Sequence, residues 1–167
     1  MTKVVAIIQA RLGSTRLPGK VLMDVEGKTV LERVVERTRH AKKIDSVVVT
    51  MPTSERDDAL AKFCEEKEIP FYRGEEQDLL GQYVAAAEKE HATHIVRITA
   101  DCPLIDPVII DQAIERFFAG ELDYLSTGRL VTTYPDGLDT EVFTKAALLR
   151  AALEAKLLPV DLVLERG

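Results

Sequence analysis

Residues 4–10, Val-Val-Ala-Ile-Ile-Gln-Ala, are almost wholly apolar and end at a loop, residues 11–20, that holds three cations, two glycines and two hydroxyls. An apolar run of that length, rich in Val and Ile, suits a strand covered on both faces, as at the centre of a parallel sheet. Strand-like and helix-like segments alternate from there onward, with no repeat, low-complexity stretch or linker between them. The fold class this predicts is α/β: a three-layer sandwich on a mostly parallel sheet. Ligands gather beyond the C-terminal ends of the strands in such sheets, so the loop is the first place to look for chemistry.

Within the loop, Arg11 and Arg16 can each grip oxygens through a planar fork, and Lys20 can act as a mobile point charge. Ser14 and Thr15 add hydroxyl donors, Gly13 and Gly19 let the backbone come close to a ligand, and Pro18 stiffens the return. A polyanion such as a triphosphate matches this set. The loop is not the ATPase phosphate loop, because Gly13 and Gly19 are one residue too far apart and Val21 follows the lysine. A G-x-G-x-x-G dinucleotide fingerprint is also missing, which disfavours a nicotinamide oxidoreductase.

Further along, Val21 to Val25 reads as extended, and Thr29 with Glu32 forms a capping box for a helix that buries Val30, Leu31, Val34, Val35 and Thr38. Residues 46–51 are a second buried strand. Ser54 with Asp57 caps the next helix, whose buried stripe is Ala59, Leu60, Phe63 and Cys64. Thr50, Thr53 and Ser54 lie where a base or ribose could reach, although turn and cap chemistry accounts for them. Residues 69–72 are a short strand, and Leu79, Leu80, Tyr83, Val84 and Ala87 mark a third helix. Residues 94–99 form a core strand followed by Ala100 and Asp101, the latter a carboxylate that can hold Mg²⁺ beside phosphates or can cap a turn. Asp106 caps a helix with Pro107 at its first position and an inner face of Val108, Ile109, Ile110, Ala113, Ile114 and Phe117. Residues 124–126 are a fifth strand, an alternating strand carries Asp139 and Glu141 on one face, and residues 145–156 are a final helix. Right-handed crossovers bring the strand ends carrying Arg11, Asp101 and Asp139 to one rim.

The string Ile-Ile-Gln-Ala-Arg-Leu-Gly-Ser-Thr-Arg-Leu-Pro-Gly-Lys-Val-Leu, residues 7–22, closely resembles the opening of the acylneuraminate and 3-deoxy-manno-octulosonate cytidylyltransferases. The resemblance implies a Rossmann-like fold of the nucleotide-diphospho-sugar transferase type. It also implies an enzyme that joins a sugar or sugar phosphate to the nucleoside monophosphate of a triphosphate, CTP in the first instance, and releases pyrophosphate for surface or spore-coat polysaccharide synthesis. Carried over residue by residue, Ala10, Arg11, Leu12, Gly13, Ser14, Arg16 and Lys20 become the nucleotide-binding segment, with Asp78 near the nucleoside. Asp101 becomes the Mg²⁺ ligand, and Arg11, Lys20 and Asp101 the catalytic set. The Tyr-Pro-Asp-Gly-Leu-Asp stretch resembles the acceptor-sugar lining, which implies roles for Tyr134, Asp136, Asp139 and Glu141. Gly81-Gln82-Tyr83 stands where the family has Asp-Arg-Tyr, so Gln82 brings no cation.

The resemblance covers residues 3–156, and the expected organisation is a nucleotidyltransferase-like domain, 1–156, with an atypical tail, 157–167. A non-catalytic nucleotide-binding remnant or assembly module is the competing expectation, because the family continues past this point. The apolar side chains of the tail, with surface a missing segment would cover, predict a homodimer. At 167 residues the chain is one domain's worth. A net charge of −6 argues against nucleic acid as a partner. No stretch has the length of a membrane span and no secretion signal is visible, so a cytoplasmic location is expected. Cys64 and Cys102 lack the spacing of a zinc or disulfide framework and are expected to be reduced.

Overall fold

The computed structural model describes residues 1–128 and 134–155. Its strands are β1 (Val4–Gln9), β2 (Asp24–Val25), β3 (Lys28–Thr29), β4 (Ser46–Pro52), β5 (Phe71–Gly74), β6 (His94–Thr99), β7 (Tyr124–Ser126) and β8 (Glu141–Thr144). The helices are α1 (Val30–Arg39), α2 (Asp58–Glu66), α3 (Leu79–Lys89), α4 (Pro107–Ala119) and α5 (Lys145–Ala155). Six of the strands form one sheet in the order β5-β4-β1-β6-β8-β7, and β2 and β3 make a separate small hairpin. β1 lies between β4 and β6 and is parallel to both, with Ile7 opposite Val48 on one side and Arg97 on the other. β8 runs antiparallel to β6 and β7 antiparallel to β8, which gives the sheet a reversed edge.

Side-chain alternation along the central strands divides the core in two. Val4, Ala6 and Ile8 of β1 point to the layer that holds Leu31, Val34, Leu60, Ile110, Ile114 and Phe117. Val5 and Ile7 point to the other, with Tyr83, Ala86, Ala87 and Leu148. Helices α1, α2 and α4 therefore cover one face and α3 and α5 the opposite one, as expected for three layers. The chain steps outward from β1 to β4 to β5, then returns across β1 to β6. A right-handed crossover in the reverse direction puts its helix on the other face, and α3 is found there.

The Thr29–Glu32 capping box is present in both directions, and the Asp106 carboxylate accepts the Val108 amide at 2.7 Å, with Pro107 at the first helical position. Several local expectations are corrected. Residues 20–22 form a single 3-10 turn instead of extended chain, because Gly19 takes a left-handed φ of 72° and reverses the backbone. A second 3-10 turn at residues 55–57 precedes α2 and shifts its phase, so Ala61 replaces Ala59 in the buried stripe and Phe63 is only partly covered. Leu79 and Val108, in the first turns of α3 and α4, project to solvent, Val108 at 60% exposure. β8 begins at Glu141, so Asp139 precedes the strand instead of alternating within it. Both cysteines are free, and burial pushes the Cys64 thiol up to about 12, where it stays protonated and unreactive. Lys156 and the 157–167 tail lie outside the described residues.

Candidate active site

The strand order reverses direction between β1 and β6, and the crevice outside the C-terminal ends at such a switch point is where open α/β sheets bind ligands. The two loops that leave these strands lie side by side, because Gln9 pairs with Thr99 and the Ala100 amide donates to the Gln9 carbonyl at 3.1 Å. The cationic loop and Asp101 consequently meet. Lys20 Nζ forms a hydrogen-bonded ion pair with Asp101 Oδ2. Burial alone would raise the Asp101 carboxyl, but the hydrogen bond and charge of Lys20, helped by Thr99, hold it below the usual carboxylate range.

Backbone hydrogen bonds shape the loop around one residue. The Leu12 carbonyl accepts from the Ser14 amide at 2.9 Å and the Gly19 amide at 3.0 Å, which draws both arms of the loop together. Ser14 Oγ accepts from the Leu17 amide at 3.3 Å. Arg11 and Arg16 are exposed, and among the described residues neither has an ion-pair partner. Two guanidinium groups are thus free for a ligand at the end of β1, while Lys20 is shared with Asp101.

The stretch between β7 and β8 reaches the same rim. Thr127 and Thr140 bridge it, with the Thr140 amide donating to Thr127 Oγ1 at 3.0 Å, and the Asp139 carboxylate sits against Gly128 so closely that a Cβ there would stand 1.9 Å from Oδ1. Burial raises the Cys102 thiol against the lowering effect of its hydrogen bond with Thr99, and the negative charges of Asp101, Asp139 and Asp136 add to the rise. Tyr134 donates its hydroxyl to Gln112 Oε1 of α4 at 3.1 Å. Asp78 caps α3 by accepting the Gly81 amide at 2.8 Å, and glycine at 81 leaves room for the carboxylate, since a Cβ there would be 2.1 Å from Oδ2 as it stands. Gln82 is buried and accepts from Thr50 Oγ1 at 3.1 Å while its amide donates to the Glu75 carbonyl, so it braces α3 against β4.

Glu141 faces the α3 layer, where Arg97 donates to it at 2.7 Å beside the buried Tyr83 hydroxyl. With side-chain exposures of 30% and 16%, this pair is largely removed from water. Glu141→Gln is expected to lower stability by about 1 to 2 kcal/mol, near the lower end for a charge-assisted hydrogen bond. Urea unfolding measures it, and unchanged stability with weakened acceptor-sugar binding would assign Glu141 to the acceptor instead.

Two residues to which the sequence assigns no site role, Arg56 and the helix-cap residue Asp57, join the site. Arg56 lies over Gly13, with its Cζ 2.5 Å from where a Cβ would stand, and donates to Glu76 at 2.6 Å. Asp57 is completely buried and accepts the Leu12 amide at 2.7 Å. The only signal for either was their place just after a strand, which ordinary helix-cap chemistry also explains.

For a divalent cation, the donor chemistry on this rim is hard oxygen, led by Asp101 in its charged form. Among the described residues no group of three or more His, Cys, Asp or Glu side chains is arranged to hold a metal alone. That fits a Mg²⁺ held by one or two carboxylates together with substrate phosphates. No described helix is long and apolar enough to cross a membrane.

Comparison with known proteins agrees with this geometry. A family model described as Cytidylyltransferase matches residues 5–156. An uncharacterised protein of Methanocaldococcus jannaschii is 36% identical over 154 residues, 92% of this chain and 62% of the relative. The spore coat polysaccharide biosynthesis protein SpsF of Bacillus subtilis is 36% identical over 128 residues, 74% of this chain and 53% of that protein. Among solved structures, a cytidylyltransferase from Leptospira borgpetersenii superposes with a TM-score of 0.82 at 35% identity, covering 90% of this chain and 64% of that one. The fold is also that of CMP:2-keto-3-deoxy-manno-octonic acid synthetase complexed with CTP, at a TM-score of 0.71 and 19% identity, covering 91% and 78%. The chain spans between about half and two thirds of the length of its more similar relatives. With the cationic loop, Asp101 and the switch point all inside the matched region, this chain belongs to the cytidylyltransferase family.

Proposed function

We propose that the chain binds CTP at the β1–β6 crevice and transfers its cytidylyl group to a sugar or sugar phosphate. An acceptor oxygen attacks the α-phosphorus, the bond from that phosphorus to the bridging oxygen breaks, pyrophosphate leaves, and the acceptor proton passes to solvent. The observation that carries this reading is the Lys20–Asp101 ion pair at the switch point, flanked by the exposed Arg11 and Arg16. Arg11, Arg16 and Lys20 are suited to hold the leaving pyrophosphate, and such a reaction depends mainly on positioning and charge stabilisation. Bound Mg²⁺ would neutralise phosphate charge, with Asp101 as its protein ligand and Asp136 or Asp139 as neighbours. Tyr134, Asp136 and Asp139 would line the acceptor.

The names of the relatives, spore coat polysaccharide biosynthesis protein and 3-deoxy-manno-octulosonate cytidylyltransferase, support an acidic or surface-polysaccharide sugar as acceptor. A cytoplasmic setting, where nucleoside triphosphates are made, and a homodimer belong to the same proposal. Incubating the protein with Mg²⁺, each nucleoside triphosphate in turn and a panel of sugar acids and sugar phosphates, with pyrophosphate as readout, tests it. Release that depends on CTP and on an acceptor is the expected result, with sedimentation of the same sample reading the dimer. Absence of acceptor-dependent pyrophosphate release with every nucleotide would overturn the proposal.

A further inference from the structure

We infer that Asp57 is a positioning residue that holds the nucleotide loop in its binding shape, an inference that rests on the nucleotide reading above. Asp57 occupies the N-cap position of α2, where an aspartate ordinarily accepts an amide of its own helix, yet its side chain makes no such bond. The carboxylate turns instead to the Leu12 amide, 45 residues earlier in the chain, at 2.7 Å, and to Ser54 Oγ, also at 2.7 Å. The side chain is completely buried. Local helix stabilisation has been given up for a contact with the loop, and the contact falls on the residue whose carbonyl gathers the Ser14 and Gly19 amides.

The anchor is itself held from behind. Arg73, at the end of β5, donates to the Ser54 carbonyl at 2.8 Å and pairs with Asp58 at 2.7 Å. A chain of contacts therefore runs from β5 through the β4–α2 turn to the loop after β1, joining three neighbouring strand ends. Without Asp57 the part-buried Leu12 amide would lose its acceptor, so the loop would have to move to satisfy it. A loop that must first be reordered binds its ligand more weakly. The loss should fall on ligands that need the whole loop, which is the triphosphate more than the monophosphate.

Asparagine at 57 keeps the arrangement, since its carbonyl can accept the Leu12 amide and its NH₂ can donate to Ser54 Oγ. The experiment compares the parent protein with Asp57→Ala, Asp57→Asn and Ser54→Ala. Amide exchange at Leu12 is read without nucleotide, and affinities for CTP and CMP are read with Mg²⁺. In Asp57→Ala the Leu12 amide should exchange freely and CTP affinity should fall about tenfold or more, with CMP much less affected. Asp57→Asn should restore slow exchange and most of the CTP preference. A folded Asp57→Ala protein with the parental CTP-to-CMP ratio, or with Leu12 still protected, would overturn the inference, since a purely structural role lowers stability alone. If Asp57→Ala does not fold, Ser54→Ala decides: a smaller shift in the same direction is expected, and an unchanged ratio refutes. A parent protein that binds neither nucleotide sinks the nucleotide reading, whereas the Leu12 exchange result still judges the anchor by itself.

Discussion

Lys20→Ala should weaken CTP binding about tenfold or more while leaving CMP binding nearly unchanged. Lys20 leaves the loop at its far end, after the Gly19 reversal, whereas Arg11 leaves it at the start, so the two cations reach different parts of a bound polyanion. A lysine aimed at the β and γ phosphates finds little to hold in a monophosphate. One charge-assisted hydrogen bond contributes about 1.5 to 3 kcal/mol, which converts to the tenfold or greater change. The substitution also removes the ion-pair partner of Asp101. That carboxyl should then titrate higher, because burial raises it and Lys20, helped by Thr99, is the main group holding it down. Calorimetric titration with both nucleotides reads the first effect. Equal losses for CTP and CMP would remove Lys20 from the terminal phosphates and leave it as a structural partner of Asp101.

Much of the scaffold is written locally. β1 announces itself by seven residues with hardly a polar atom, and the Thr29–Glu32 box and the Asp106-Pro107 start are short-range patterns that decide their own backbone. The features that escaped depend on phase or on distance. An ideal helical repeat extended into the first turn places Ala59 and Val108 on buried faces. In the structure a 3-10 turn or the projection of the terminal turn moves them to solvent. Asp57 escaped because Ser54-Glu55-Arg56-Asp57 looks like a self-contained cap, and nothing in its spacing indicates that the carboxylate is used 45 residues away.

The site was legible to a similar degree. The loop from Ala10 to Lys20 and the strand-end aspartate could be read as partners because parallel neighbours in a doubly wound sheet deliver their loops to one edge. Gln82 is the contrasting case: its burial between Thr50 and Glu75 is a packing fact, and no pattern around Gly81-Gln82-Tyr83 encodes it. Asp139 and Glu141 were read as sharing a face, yet one stands on the rim against Gly128 and the other pairs with Arg97 inside the α3 layer. The β8 start, one residue after Thr140, sends the two carboxylates to different surroundings.

Asp101→Asn should abolish the Mg²⁺ dependence of nucleotide binding and leave the fold intact. The amide preserves the shape of the side chain but lacks the charge that a hard cation requires from its protein ligand. The side chain is 39% exposed, so no buried charge is stranded by the change and the stability cost should be small. Metal-free binding should move the other way, because Lys20 loses the carboxylate that competes with phosphate for it. The opposite signs separate a lost metal ligand from general damage to the site. The pH profile adds a second check. Since the Asp101 carboxyl lies below its ordinary range, its charge is complete at neutral pH and persists through mildly acid solution. The pair's contribution to stability is present above the unfolded value, about 3.9, and is lost only as the pH falls through the lower folded value. The Asp101 contribution to Mg²⁺-dependent binding in the parent should accordingly persist from neutral pH into mild acid, where the terminal phosphate of CTP protonates first, at about pH 6 for a phosphate, and should fail only below the usual carboxylate range. In Lys20→Ala the failure should move to higher pH. Titrations of CTP with and without Mg²⁺ across that range measure both effects, and a variant with parental Mg²⁺ dependence would make Asp101 a partner of Lys20 and nothing more.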